Sequence, residues 1–358
     1  MVLSLWLAAG ARAQPRLVVI DQDAYGPGGT NQMSIMALLQ SPQVRVLGIA
    51  VVTGDGWRDE EVQHTLRMLE LIGRPDVPVV PGAVFPLVRT QQETALAEKL
   101  AGGVGWLGAW GRIPEAIQKG GSTGAHGAWE VPPLEEGPPH TQPLAEDAAH
   151  FLIRQVRAHP HQVTVYAAGP LTDLALAIRL DPQFAELAQG LVMMGGSLNP
   201  QSDDPEFAYS PRHEFNFWFD PEAARIVLRA HWPRIDLTTV DVSIKARLTR
   251  QMLDEISQSH YPAARYVARY SRDVSYMWDE LAACSLLDPS IITGAREVYM
   301  DVDVSHGPSY GETLTWSKEL KPGTDLQLVH AQVDVDVPRF TRMFVALMSG
   351  PTPGAAPQ

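Results

Sequence analysis

The stretch Leu17-Val18-Val19-Ile20-Asp21-Gln22-Asp23-Ala24-Tyr25-Gly26-Pro27-Gly28-Gly29-Thr30-Asn31-Gln32 decides the fold of this 358-residue chain. An apolar run feeds directly into two alternate carboxylates and a turn made of Gly26, Pro27, Gly28 and Gly29, after which residues 33–39 read as an amphipathic helical segment. That is a strand, a loop and a helix. In open α/β sheets such loops lie at the carboxyl ends of the strands, where ligands bind. Two acids there, on backbone free to approach closely, suit a hard cation or the hydroxyls of a sugar. The same acids also suit capping the helix and solvating the turn.

The pattern recurs down the chain. Residues 44–52 form a second buried strand that ends in Thr53-Gly54-Asp55-Gly56, and residues 59–72 carry Val62, Leu66, Leu69 and Ile72 at helical spacing. Residues 77–82 read as a short third strand. A helix over 145–158 precedes the strand 163–167, which ends in Ala168-Gly169-Pro170-Leu171-Thr172-Asp173. Next come a helix over 174–180 and the strand Leu191-Val192-Met193-Met194, closed by Gly195-Gly196; an acidic irregular loop, 197–212, leads to Glu214-Phe215-Asn216. Pro221 opens the next helix at its first position, where a missing N–H costs nothing. A long helical stretch over 248–274 leads to Trp278-Asp279, and residues 297–338 are β-rich and read as scaffold.

This alternation predicts an α/β protein: a Rossmann-like, mostly parallel sheet flanked by helices. No linker interrupts it, so residues 14–348 are expected to be a single domain, followed by a disordered tail over 349–358. Residues 90–137 stand apart, rich in Gly, Trp and Pro with weak periodicity, and suggest a flexible flap over the site. Within it, His126-Gly127-Ala128-Trp129 offers either a packing anchor or an aromatic platform for a ligand.

Composition narrows the partners. A formal net charge of −13 without any cluster of Lys and Arg argues against nucleic acid or an anionic membrane and for a small neutral or cationic ligand. The single cysteine, Cys284, lies in an apolar run and is expected in the core. At the amino terminus an apolar run over 3–9 precedes Ala11-Arg12-Ala13, a small-x-small cleavage pattern. Residues 1–13 therefore read as a signal peptide and the protein as exported, periplasmic or secreted. That run is too short to span a membrane.

Taken in order, Ile20-Asp21-Gln22-Asp23, Thr53-Gly54-Asp55, Gly169-Pro170-Leu171-Thr172-Asp173, Met193-Met194-Gly195-Gly196, Glu214-Phe215-Asn216 with Asp220-Pro221-Glu222-Ala223-Ala224, and Trp278-Asp279 resemble the nucleoside hydrolases, the inosine/uridine-preferring N-ribohydrolase family, over nearly the whole mature length. The resemblance implies hydrolysis of the N-glycosidic bond of ribonucleosides to free base and ribose, with a calcium ion at the bottom of the pocket. It makes Asp23 a calcium ligand and the base that activates water, Asp279 a second carboxylate ligand, and the Ala168 carbonyl a third. Asp55, Glu214 and Asn216 match positions that hold the ribose hydroxyls, Met194 lines the ribose face, and Asp21 supports the ligands from behind. Trp278 stands where broader-specificity members carry a histidine that can protonate the leaving base. Tryptophan stacks on a purine instead, which implies purine preference, with Trp129 as a second stacking face next to His126. Dimers or tetramers are implied as well.

One departure touches the metal. The family loop ends in two adjacent aspartates, one for calcium and one for ribose, and here the matching pair is Asn31 and Gln32. Both offer carbonyl oxygens, so Gln32 is expected among the metal ligands and Asn31 at the sugar, but two charges are gone, and calcium affinity follows ligand charge. Asp203, Asp204 and Glu206 in the acidic loop are candidate replacements. The alternative to a hydrolase is a non-catalytic riboside-binding protein on the same scaffold.

Overall fold

The computed structural model describes residues 14–111, 126–272, 276–323 and 325–355. The expected signal peptide, 1–13, lies outside the described residues.

Nine strands form one sheet among the described residues: β1 (Arg16–Gln22), β2 (Val44–Val51), β3 (Val79–Pro81), β4 (Val163–Ala167), β5 (Gly190–Met194), β6 (Ile235–Thr238), β7 (Ile292–Val302), β8 (Thr313–Trp316) and β9 (Leu328–Val335). Their order is β3-β2-β1-β4-β5-β6-β9-β7-β8. The pairs from β3 through to β9 are parallel, and β7 pairs antiparallel with both β9 and β8. The chain thus leaves β1 towards one edge, through β2 and β3, and returns to place β4 on the other side of β1. Such a reversal opens a crevice at the carboxyl ends of β1 and β4, where open α/β sheets bind ligands. The β-rich end forms the antiparallel edge and lends no side chain to the cavity described below.

Both faces of the sheet are covered, and each has its own core. Along β1, Val18 and Ile20 pack into one cluster while Val19 packs into the other. Tyr166 and Val165 divide in the same way on β4, as do Val192 and Met193 on β5. Helix α1 (Gly29–Leu39) departs from the amphipathic expectation, since every residue from Asn31 to Leu39 is buried. It lies under the helix Trp278–Leu287, whose residues from Asp279 onward are also all buried, so neither helix has a solvent face to pattern. Cys284 sits in that helix as expected.

Three further expectations change. The 248–274 stretch is two helices, Arg250–Ser257 and Pro262–Tyr270, because Pro262 lacks the N–H a continuous helix needs and instead starts the second. Within 90–137, helix α2 (Gln91–Ala101) is regular and opens on a capping box, with Thr90 and Glu93 bonding each other's backbone. Residues 350–355, expected to belong to a disordered tail, lie against the body: Arg74 Nη1 donates to Pro353 O at 3.0 Å, and Thr352 is buried.

Candidate active site

Four strand ends deliver the site. Beyond β1, Asp23 is fully buried and its carboxylate is fixed from two sides: Asn31 Nδ2 donates to Oδ1 at 2.9 Å and the Asp55 backbone N–H to Oδ2 at 3.0 Å. Two glycines make room for it. A methyl group on Gly54 would stand 2.6 Å from Asp23 Cβ, and one on Gly169 would stand 2.6 Å from Asp23 N. Beyond β4, Ala168 is held beside β1 by its N–H bond to Asp21 O at 3.0 Å.

Asp279 begins the buried helix Trp278–Leu287. Its Oδ2 accepts from Gln22 Nε2 at 2.9 Å, its N–H bonds to Thr30 Oγ1 at 3.1 Å, and its carbonyl accepts from Tyr166 Oη at 2.9 Å. Glu214 caps the helix Phe215–Phe219 and takes three backbone N–H groups, from Gly196, Asn216 and Phe217. Asn216 Nδ2 in turn donates to Met194 O at 3.2 Å.

These groups line one cavity of about 460 Å³: Asp23, Asn31, Asp55, Ala168, Met194, Glu214, Asn216, Trp278 and Asp279 all reach it. No Lys or Arg does. Burial, then repulsion from Asp55 and Asp279, holds the Asp23 carboxyl well above the usual carboxylate range, against the bonds from Asp55 and Asn31. Burial raises Asp279 likewise, with Glu280 adding to it. Asp55 is pushed up to about 6 by burial, and its bonds with Trp106 and Asn31 restrain the rise.

A model of the inosine-uridine preferring nucleoside hydrolases matches residues 18–342. The chain belongs to this family. Probable uridine nucleosidase 2 of Arabidopsis thaliana is 27% identical over 347 residues, covering 92% of this chain and 96% of that protein. The pyrimidine-specific ribonucleoside hydrolase RihA of Citrobacter koseri is 28% identical over 242 residues, 68% of this chain and 66% of that one. A solved plant nucleoside hydrolase superposes with a TM-score of 0.73 at 23% identity over 94% of this chain and 100% of its own. The purine-preferring ribonucleoside hydrolase from Gardnerella vaginalis does so at 0.74 and 22%, over 94% and 99%. This nucleoside hydrolase therefore keeps the family scaffold, and its own residues decide what the site does with it.

Three expected site residues lie elsewhere. Gln32 does not reach the cavity: its Oε1 accepts from the Tyr266 hydroxyl and its Nε2 donates to Ala24 O at 3.2 Å. The same hydroxyl accepts the Gly28 N–H, so the helix Pro262–Tyr270 pins the inserted turn and draws Gln32 with it. Gly28 has φ +72°, and a methyl there would meet the Tyr270 carbonyl at 2.7 Å. Trp129 is 68% exposed and packs on Phe85 with Arg58 over its ring, so it is no second stacking face. His126 binds Glu60 through Nε2 at 2.8 Å, away from the cavity. Asp21 stays behind the wall, facing Asp173, as a buried carboxyl pair.

The cavity also holds residues that the motifs did not single out. Trp106 donates from Nε1 to Asp55 Oδ1 at 2.8 Å and, with Phe207 and Trp278, makes an aromatic wall. Phe207 meets Trp278 edge-on at 5.8 Å between ring centroids. Glu206 lines that side as well. Asp203 does not reach the cavity, and Asp204 caps the short helix Pro205–Tyr209. The only local sign of Trp106 was its place beside Gly105 in the Trp-rich region.

A cation fits part of this set. Asp23, Asp279, the Ala168 carbonyl and the Asn31 amide are oxygen donors of the kind hard divalent ions take, and Gln22 Oε1 is buried without a partner beside Asp279. Among the described residues no group of three or more His, Cys, Asp or Glu is arranged around a metal position, so the set carries two carboxylates.

Proposed function

We propose that the chain hydrolyses ribonucleosides, purine ones by preference, to free base and ribose. The observation that carries this is one cavity lined together by the carboxylates Asp23, Asp55, Glu214 and Asp279, the amides Asn31 and Asn216, and the aromatics Trp106, Phe207 and Trp278. Asp55, Glu214 and Asn216 hold the sugar hydroxyls, with Met194 against its face. Asp23, its carboxyl raised by burial, takes the proton from the attacking water. As the glycosidic bond lengthens the sugar becomes an oxocarbenium ion, and buried carboxylates facing it stabilise that positive charge.

Asp23, Asp279, the Ala168 carbonyl and Asn31 are the residues that would hold a divalent cation such as Ca²⁺, which when bound lowers the pKa of water beside it. Relatives named for uridine, pyrimidines and purines share this scaffold, so the base preference rests on this chain's own wall. Three aromatic side chains match the area of a bicyclic base better than a single ring.

The test is release of reducing sugar from inosine, guanosine, adenosine, uridine and cytidine, with calcium and after chelation. Faster release from the three purine nucleosides, reduced by the chelator, is expected. Equal rates on uridine would sink the purine preference, and binding without release from any of the five would replace the hydrolase by a riboside-binding protein.

A further inference from the structure

The proposed reaction leaves one proton unaccounted for. A nucleobase departs poorly as an anion, and the indole of Trp278, which can stack on the base, is no acid for it. The aromatic wall contains a group of the right chemistry. Glu206 lines the cavity between the aromatics: its neighbour in sequence, Phe207, packs on Trp278, and its own carboxylate lies over Gly105, next to Trp106. A methyl on Gly105 would stand 2.6 Å from Glu206 Oε2, so only glycine lets the carboxylate come this close to the wall. Unlike Glu214, which is tied to three backbone N–H groups, Glu206 makes no side-chain hydrogen bond among the described residues.

Behind it stands His213, 3% exposed, with Nδ1 at 3.4 Å from Glu206 Oε1. Among the described residues no hydrogen bond satisfies either ring nitrogen, which is rare for a buried imidazole and asks for a reason. Its other neighbours are the Glu214 carboxylate, the next residue in the chain, and the ring of Trp218, 5.6 Å away between centroids and covered on another side by Arg89.

We propose that Glu206 is the general acid for the leaving base and that His213 positions it. This rests on the nucleosidase reading above. As the C1′–N bond breaks and its electron pair goes to the base, the Glu206 carboxyl gives its proton to a base nitrogen and is left as a carboxylate. Water supplies the oxygen of the new C1′–O bond, and its proton goes to Asp23. His213 then donates from Nδ1 to the new carboxylate, a bond its buried and otherwise unsatisfied ring is placed to make.

The test compares leaving groups. Inosine and uridine need a proton on the departing base, whereas 4-nitrophenyl β-ribofuranoside releases a stable anion and needs none. Glu206→Gln is expected to lower kcat on inosine and uridine by roughly 10²–10⁴-fold, the usual worth of a positioned acid, and to leave nitrophenyl riboside turnover within about twofold. His213→Asn is expected to show the same split with a smaller loss. Retained nitrophenyl riboside turnover also shows that each variant folds. Wild-type rates on inosine and uridine in Glu206→Gln, or equal losses on all three substrates, would overturn the inference while the nucleosidase reading stands. A wild-type protein that cleaves none of the three would overturn both.

Discussion

Gly54→Ala isolates the placement of Asp23. Gly54 follows β2, and an added methyl would meet the Asp23 carboxylate, standing 2.6 Å from its Cβ and 2.7 Å from its Cγ. Ordinary carbon contact begins near 3.4 Å, so Asp23 must retreat by roughly 1 Å, losing the Asp55 N–H bond to Oδ2 as it goes. A misplacement of about 1 Å at a reacting group costs on the order of 10²-fold in rate, or about 2.7 kcal/mol of barrier. Overpacking of this kind lowers stability by about 1–3 kcal/mol. The sugar contacts of Glu214 and Asn216 belong to the helix Phe215–Phe219 and stay in place, whereas Asp55 directly follows the substituted residue and shifts with it. Steady-state kinetics on inosine with a thermal melt is therefore expected to show kcat reduced about a hundredfold, a smaller rise in KM from the disturbed Asp55, and a folded protein at assay temperature. Gly127→Ala, where a methyl meets nothing within 4 Å, is the silent control. A kcat within twofold of wild type in Gly54→Ala would refute the reasoning, since Asp23 would then tolerate a displacement the mechanism forbids.

Other variants test the remaining parts. Asp23→Asn removes the base and is expected to lower kcat by roughly 10²–10⁴-fold, with a modest loss of melting temperature because both carboxylate oxygens accept N–H groups and the amide leaves one of those donors unpaired; a kcat near wild type would remove the base role. Trp278→Ala is expected to cost about tenfold in kcat/KM on inosine, the scale of one lost stacking contact, and less on uridine; equal losses on both would remove the stacking role. Asp173 faces Asp21 and has its pKa raised to about 7 by burial, so its contribution to stability is complete below its ordinary value of 3.8 and is lost as pH rises through 7. Asp173→Asn should therefore gain melting temperature relative to wild type from pH 4 to pH 8, and a constant difference across that range would contradict the shift. Asn31→Asp restores a carboxylate beside Asp23 and is expected to melt lower in chelator, recover in calcium and bind calcium more tightly by calorimetry; unchanged calcium affinity would place the cation elsewhere.

What the amino-acid sequence made legible follows from burial. Parallel strands covered on both faces are continuous apolar runs, so 17–20, 44–52, 163–167 and 191–194 stood out, and the acids and glycines after them marked the carboxyl ends where the cavity lies. Patterning failed where there was no boundary to pattern. Helix α1, buried from Asn31 onward, departs from the amphipathic expectation, and α2, with Thr94 its one buried residue, shows no apolar periodicity, though Thr90 and Glu93 carry its start. The loop pair Asn31-Gln32 failed for a different reason. Both lie in the first turn of helix α1, and of the two only Asn31 reaches the cavity. Which one was decided by the Tyr266 hydroxyl, 234 residues away, and by nothing local. Trp129 likewise answers to Phe85 and Arg58 on the surface.

The acidic loop closes the argument about charge. Replacing two loop aspartates by amides leaves Asp23 and Asp279 as the carboxylates at the cation end, and each of them already accepts an amide N–H, from Asn31 and from Gln22. Glu206 adds a carboxylate to the same cavity, beside Phe207 and Trp278 and backed by His213. On the proposed roles, negative charge has shifted from the end where the water is activated towards the end where the base departs. Such a site is expected to hold a cation less tightly and to rely more on protonating its leaving group. Chelation should then cost this enzyme less than Glu206→Gln does, and the ratio of those two losses on inosine measures how far the shift has gone.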